Sequence, residues 1–401
     1  MQRFTLTTLS LMFAFSISIP YLNAQTMPTK LLRAPRSNAP KADPQGSARV
    51  QIAILLDTSG SMRGLIDQAR CQIWNVVNTL ADARRGGKRV TLQVAVYEYG
   101  SGRQQQSNGY IRQVTNFTDD LDEVSRALFS LHAGGSKEYC GQVIRDAVGE
   151  LNWDQSPSVY KAIFIAGNEQ FDQGAVTFGS VLPKLRNESI VLNATYCGSR
   201  YSGKELWEAA AKAAGGTYTV INHNHKIPNL STPMDPDLRK LNRQMSETFV
   251  WYGPNAGKAK KNQEQQDKNA ARMSDQAFAS RMATKIGHLY IHVQSDLIDA
   301  IQHGHVELDN MPERKMPESL QRMTAQERKR FVAKLTKRRD EIRRKMATVI
   351  ANRQRFLNQK MNDKANGEKN ASQAWGEALT RIVRGQASAR GYTWTKDVTQ
   401  N

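Results

Sequence analysis

Asp57, Ser59 and Ser61 stand on alternate positions in "VQIAILLDTSGSMRGLIDQ", Val50 to Gln68, directly after an apolar run. One carboxylate and two hydroxyls at that spacing form a set of hard oxygen donors. They suit capping of the helix that follows, a bound phosphate, or a small hard cation. Such a cation keeps several waters and leaves a position for an outside carboxylate. Spacing alone leaves the capping and metal readings open.

The elements that must present these residues alternate along the chain. "RVQIAILL" reads as a strand and Gly64–Ala83 as an amphipathic helix; "RVTLQVAVYEY" and "YIRQVTNFT" read as two more strands, the second with edge character. Helices follow at "DDLDEVSRALFSLH" and "EYCGQVIRDAVGEL". Then come the strand "YKAIFIAG", the helix "TFGSVLPKLRN", the strand "SIVLNATYCG", the helix "GKELWEAAAKAAGG" and a last strand, "TYTVI". Short, continuously apolar strands separated by helices predict an α/β, doubly wound, Rossmann-like domain with a mainly parallel central sheet. Ligands of such sheets bind beyond the carboxyl ends of the strands. Asp57, Ser59 and Ser61 fall at that edge.

"DTSGSM" after an apolar strand resembles the first motif of the von Willebrand factor A (vWA) domain, the Asp-x-Ser-x-Ser of its metal-ion-dependent adhesion site. The order of strands and helices through residue 221 agrees, and "AAGGTYTVI" is similar to the family's closing Gly-Gly-Thr-Tyr strand. The resemblance covers residues 48–222. Through "LIDQARCQIW", "YEYG" and "GGSKEYCG" the chain is also similar to a group of exported bacterial vWA proteins. What the resemblance implies is a face that engages a protein partner through a divalent cation, Mg²⁺ or Mn²⁺. The implied metal ligands are Asp57, Ser59 and Ser61, with Ser136 or Glu138 of "GGSKEYCG" completing the shell.

Two family features are altered. Ser136 takes the place of the family's Thr after a Gly-Gly pair, and Gly167 of "IFIAGNEQF" stands where the family's fourth strand ends in Thr-Asp-Gly. The absent carboxylate normally supports the metal's waters. Glu138 is expected to restore the charge, and Asn168, Glu169 and Asp172 lie close by, out of register.

Three cysteines allow one bridge and one spare thiol in an oxidising compartment. Ile66, Ile73, Val77 and Leu80 share one face of the first helix with Cys71 nearly opposite. Cys140 and Cys197 both border the sheet edge that carries the site and are the expected pair. His223 with His225, His303 with His305, and His288 with His292 four apart on a helix lack a third zinc ligand and read as surface or capping groups. No Gly-x-Ser-x-Gly elbow, Walker loop or GxGxxG after the first strand occurs.

The formal charge of +19 over 401 residues is unevenly held, net +4 over residues 25–220 and net +14 over 221–401. At the start, Arg3, the apolar "FTLTTLSLMFAFSISIP" and the small-residue "YLNA" read as a signal peptide over 1–24 cleaved after Ala24. That predicts an exported protein, periplasmic or secreted. Residues 25–47, with four prolines, read as a flexible linker. No later run is apolar enough to span a bilayer.

Residues 223–322 read as a mixed helical region with linkers, 323–362 as a long basic helix opened by a capping box at "TAQE", and 371–390 as a terminal helix. In the long helix Leu335, Ile342, Val349 and Phe356 recur every seven residues, while the companion positions hold Phe331 and then Arg338, Lys345 and Asn352. That pattern predicts packing against the same chain or a partner helix rather than a two-stranded coiled coil. Its cationic faces suit solvent or an anionic envelope surface. A nucleic-acid partner is not expected, because no binding motif or interleaved aromatics accompany the charge. The sequence thus predicts a non-enzymatic vWA module of the cell envelope that binds a protein partner through its metal site. The alternatives are a metal-free scaffold held by its basic tail, or a hydrolase using Glu138, Glu169 or Cys140.

Overall fold

The computed structural model describes residues 48–198, 203–221, 230–363 and 371–394. The leader and its cleavage point after Ala24, the linker 25–47, and His223 and His225 lie outside the described residues. Strand β1 (Arg49–Asp57) is buried at nearly every position because it runs through the middle of a sheet covered on both faces. It is followed by α1 (Arg63–Ala81), the short strands β2 (Ala83–Arg85) and β3 (Lys88–Arg89), β4 (Thr91–Tyr99), β5 (Arg112–Thr118), α2 (Leu121–Phe129) and α3 (Cys140–Glu150). Then come β6 (Tyr160–Gly167), α4 (Phe178–Asn187), β7 (Ile190–Cys197), α5 (Lys204–Ala213) and β8 (Tyr218–Ile221).

The sheet order is β5-β4-β1-β6-β7-β8, with β5 antiparallel to β4 and every other pair parallel. From β1 the chain goes first to β4 on one side and later to β6 on the other. The crevice beyond the end of β1 is therefore a topological switch point, the usual ligand position of such sheets. Strand alternation splits the core: Val50, Ile52 and Leu56 join the layer of α1 and α2, and Ala53 and Leu55 join that of α3, α4 and α5.

The rest of the described chain is α6 (Asp235–Ser246), α7 (Ala256–Met273), α8 (Asp275–Ile286), α9 (Leu297–Gln302), α10 (Glu318–Gln321), α11 (Ala325–Asp363), α12 (Ala371–Ser388) and β9 (Tyr392–Trp394). Its last two elements return to the sheet. Trp375, Leu379, Val383, Tyr392 and Trp394 join the same apolar layer as β1 and α1, and β9 pairs antiparallel with β2. Gln386 seals the join, donating to Asn193 Oδ1 (2.7 Å) and accepting from Tyr160 Oη (2.8 Å). The terminal helix is thus part of the α/β domain, and the helical region is an insertion within it rather than a tail after residue 222.

The long basic helix packs on its own chain. Ile342 and Met346 meet Leu238, Met245 and Met282, while Val332 and Leu335 meet Val250, Leu297 and Leu320. The capping box forms as the sequence predicts: Glu327 Oε2 accepts from the Thr324 amide (2.8 Å), and Thr324 Oγ1 accepts from the Glu327 amide (3.3 Å). His288 and His292 do not share a helix, because α8 ends at Ile286 and both lie in the irregular segment that follows.

Where insertion meets domain, the contact is ionic. Arg281 of α8, fully buried, pairs with Asp122 of α2 (2.8 Å) and Asp267 of α7 (2.7 Å), and its guanidinium lies 5.2 Å from the Trp74 ring centroid. Lys285 Nζ donates to the second oxygen of Asp267 (2.8 Å). Paired in this way, buried charges are tolerable.

Candidate metal centre

Asp57 ends β1 opposite Tyr99 at the end of β4, and Leu56 pairs with Ala166, which sets Gly167 beside Asp57. Backbone hydrogen bonds knit the loops leaving these strands. Thr58 N donates to Tyr99 O (2.8 Å), Gly134 N to Thr58 O (2.8 Å) and Gly60 N to Gly135 O (3.1 Å). Gly135 has φ +123°, and a Cβ there would run into the Gly100 carbonyl and the Gly102 amide. Only glycine lets this loop close on its neighbour. The loop then turns Glu138 inward, 3% exposed, and leaves Ser136 exposed.

Asp57 is fully buried; its Oδ1 accepts from the Ser59 amide (2.7 Å), and its Oδ2 has no hydrogen-bond partner. Ser59 Oγ and Ser61 Oγ are 3.5 Å apart. Neither caps a helix, since the turn Gly60–Met62 and α1 both start without a side-chain cap. Their hydroxyls face each other and the acidic group instead. The Ser59 side chain also acts on Glu138, holding its carboxyl down. Asn168 Nδ2 donates to Ser61 Oγ (3.2 Å), which leaves the buried Asn168 Oδ1 without a partner.

The electrostatics are strained. Burial pushes the Asp57 carboxyl up to about 7; hydrogen bonds from Ser59 oppose this, and the charges of Glu138 and Glu169 add to it. Burial and the charge of Glu169 raise Glu138 as well, with partial relief from Ser59 and exposed Lys137. Crowded carboxylates, with one unpartnered oxygen on Asp57, and two hydroxyls form a hard anionic donor set short of positive charge, which fits a divalent cation.

The strand order, the single antiparallel edge and an Asp-x-Ser-x-Ser turn at the switch point now stand together. This domain has the vWA fold. No family model and no curated protein matches the sequence. Among solved structures the chain is similar to proximal thread matrix protein 1 from the mussel byssus, 15% identical over 43% of this chain and 42% of that one, with a TM-score of 0.34. A structure of that protein with a zinc-occupied MIDAS motif is 16% identical with a TM-score of 0.35. A von Willebrand factor type A protein from Catenulispora acidiphila is 20% identical over 43% of this chain and 39% of that one, with a TM-score of 0.33. The chain thus spans under half the length of these proteins.

Within the vWA domain, Gly167 has a physical explanation. A Cβ there would run into the Tyr99 hydroxyl and lie 3.1 Å from both Cβ and Oδ2 of Asp57. Tyr99 Oη donates to Ala166 O (2.9 Å). The space a family Asp would need is therefore filled from β4. Gly167→Asp is expected to cost roughly 1–3 kcal/mol through overpacking, and Tyr99→Phe in the same chain to recover part of it. Urea denaturation of the two single variants and the double variant measures this, and strict additivity would count against the Tyr99 explanation.

Other candidates fall differently. Asn168 reaches Ser61 by its hydrogen bond, and Glu138 and Glu169 lie near enough for their charges to raise Asp57. Asp172 is engaged elsewhere: its Oδ1 accepts from the Phe178 amide (3.1 Å) at the start of α4. Cys140 and Cys197 do not pair. Alternation along β7 puts Cys197 in the α1 layer while Cys140 packs in the α3 layer, on the opposite face of the sheet. Cys140 Sγ instead approaches Tyr99 Oη (3.8 Å), and Cys197 Sγ approaches Thr195 O (3.6 Å). Burial raises both thiols well above their ordinary range, a poor setting for a thiolate nucleophile. Cys71 is also free and buried, because its side of α1 is covered by the insertion, with Sγ 4.0 Å from Met273 Sδ.

Proposed function

We propose that the vWA domain is a protein-binding module of the cell envelope. It holds a Mg²⁺ or Mn²⁺ ion at Asp57, Ser59, Ser61 and Glu138 and uses the ion to take a carboxylate from its partner. One observation carries this reading: the buried Asp57 carboxylate has an unpartnered oxygen, two hydroxyls that cap nothing, and further carboxylates pressed around it. Hard divalent ions accept such ligands and keep water at the remaining positions. A partner's acidic side chain can replace one of those waters. Location at the envelope rests on the leader over residues 1–24, and export is part of the proposal.

Titration calorimetry of the chelator-treated protein with Mg²⁺ and Mn²⁺ is expected to show one binding equivalent, lost in Asp57→Ala. Absence of binding, or equal binding in the variant, sinks the reading. The exposed cations of α11 favour a second reading, in which Lys334, Lys337 and Lys345 attract an anionic envelope surface. Its test is triple replacement of these lysines by Glu, since α12 belongs to the core and truncation would unfold the domain. Unchanged binding to anionic vesicles removes that reading.

A further inference from the structure

A second group of metal-binding side chains stands at the seam between α2 and the insertion. Asp120, Asp122 and His292 each bring one ligand atom into a cluster in which these atoms lie within 4.8 Å of one another. His292 is 8% exposed; its Nε2 has no hydrogen-bond partner and lies 3.7 Å from Asp122 Oδ2. The ring is boxed by Tyr290, Phe249 and Trp251, at centroid distances of 4.5, 6.0 and 6.4 Å. Its backbone amide donates to Asp299 Oδ2 (2.9 Å). A buried imidazole held this way, with an unsatisfied nitrogen aimed at a carboxylate, needs a partner.

The carboxylates have capacity to spare. Asp120 Oδ1 accepts from the Asp122 and Glu123 amides (2.9 and 3.2 Å) as the cap of α2. Asp122 uses Oδ1 for Arg281 (2.8 Å) and accepts from Tyr290 Oη at Oδ2 (2.7 Å), which leaves a lone pair on Oδ2 toward His292. Asp122 and Asp267 pair with Arg281 and Lys285, while Asp120 lies near the charge of Arg126.

We propose that Asp120, Asp122 and His292 form a zinc site that staples the insertion to the vWA domain. One imidazole and two carboxylates, with water at the fourth position, make a zinc donor set. Ligand atoms around tetrahedral zinc are about 3.3 Å apart, so the pair at 3.7 Å closes by a few tenths of an ångström, and Asp120 stands within 4.8 Å of both partners. The ion would tie α2 to a segment far along the chain and make their docking depend on metal.

The site stands apart from the ion at Asp57, and its test removes that ion. The full chain carrying Asp57→Ala, treated with chelator, is titrated with Zn²⁺ and with Co²⁺. One equivalent is expected, with the intense visible absorption of four-coordinate Co²⁺ and a higher unfolding temperature in Zn²⁺. Adding His292→Gln is expected to weaken Zn²⁺ binding on the order of 100-fold. Asp120→Ser, which keeps an oxygen to cap α2, is expected to weaken it comparably while the chain stays folded. No binding in the Asp57→Ala chain overturns the proposal, as does undiminished binding in both added variants. Neither outcome bears on Mg²⁺ at Asp57.

Discussion

Asp57→Asn is expected to stabilise the metal-free protein at pH 8 and to abolish its response to Mg²⁺. The carboxyl sits at about 7 in the folded chain against an ordinary value of 3.8. Between those values the folded state holds a proton that the unfolded state has released. Stability therefore falls as pH rises from about 4 and levels off above about 7. Between pH 5 and pH 8 the loss is about 3 kcal/mol from this residue, and Glu138, raised in the same direction, adds to it. Asparagine keeps an oxygen for the Ser59 amide and carries no charge to desolvate, so most of the pH dependence goes. In the parent, Mg²⁺ is expected to bind the ionised carboxylate and restore stability at pH 8; in the variant it has nothing to restore. Urea denaturation at both pH values, with chelator or Mg²⁺, decides this. A parent as stable at pH 8 as at pH 5 without metal contradicts it.

Why this site was legible, while the features around it were less so, follows from how far apart the residues lie. Asp57, Ser59 and Ser61 are adjacent in sequence and follow a strand whose apolar run is unambiguous, so both the turn and its edge of the sheet can be read locally. Glu138 was readable as a candidate carboxylate at the same edge because the glycines before it mark a loop there, and it does turn inward. Gly167 was only a gap until Tyr99, from a different strand, was seen to occupy its space. The Cys140–Cys197 expectation failed on a local fact that was available, the alternation of side chains along β7: sharing an edge is not sharing a face.

The extent of the domain depended on longer-range contacts. α12 completes the layer over α1 only after the whole insertion has intervened, and its composition alone does not distinguish a docked helix from a tail. In α11 the stripe of Leu335 and Ile342 was correctly expected to pack, but its companions are Val332, Arg339, Met346 and Arg353, one position beyond the expected row. Two of those four are arginines, so the buried row looked like solvated charge. Those two arginines belong to internal structure, while Lys334, Lys337 and Lys345 stay exposed on the other faces of α11.

Arg339→Ala follows from the same observation and should be among the most damaging single changes in the insertion. The Arg339 side chain is 1% exposed, and its Nη1 donates to Asp296 Oδ2 (2.6 Å) and Asp299 Oδ1 (2.8 Å). Nε reaches Thr248 Oγ1 (3.0 Å), Nη2 reaches the Thr248 carbonyl (2.6 Å), and the guanidinium lies 4.4 Å from the Phe249 ring centroid. Those carboxylates hold backbone too: Asp296 Oδ1 accepts from Val250 N (2.8 Å) and Asp299 Oδ2 from His292 N (2.9 Å). Removing the arginine leaves two buried carboxylates facing each other, a loss of about 3–5 kcal/mol. Burial already raises Asp296, and Arg339 is the main influence holding it down. Without Arg339 that carboxyl rises further and takes up a proton, so part of the stability lost at pH 8 returns at pH 5. Arg339→Lys keeps the charge but lacks the planar fork that serves both aspartates and Thr248 together, so it should recover only part of the loss. Denaturation midpoints of the three chains at both pH values test the argument. An alanine variant equally destabilised at pH 5 and pH 8 would show that lost packing around Phe249, rather than the uncompensated carboxylates, sets the cost.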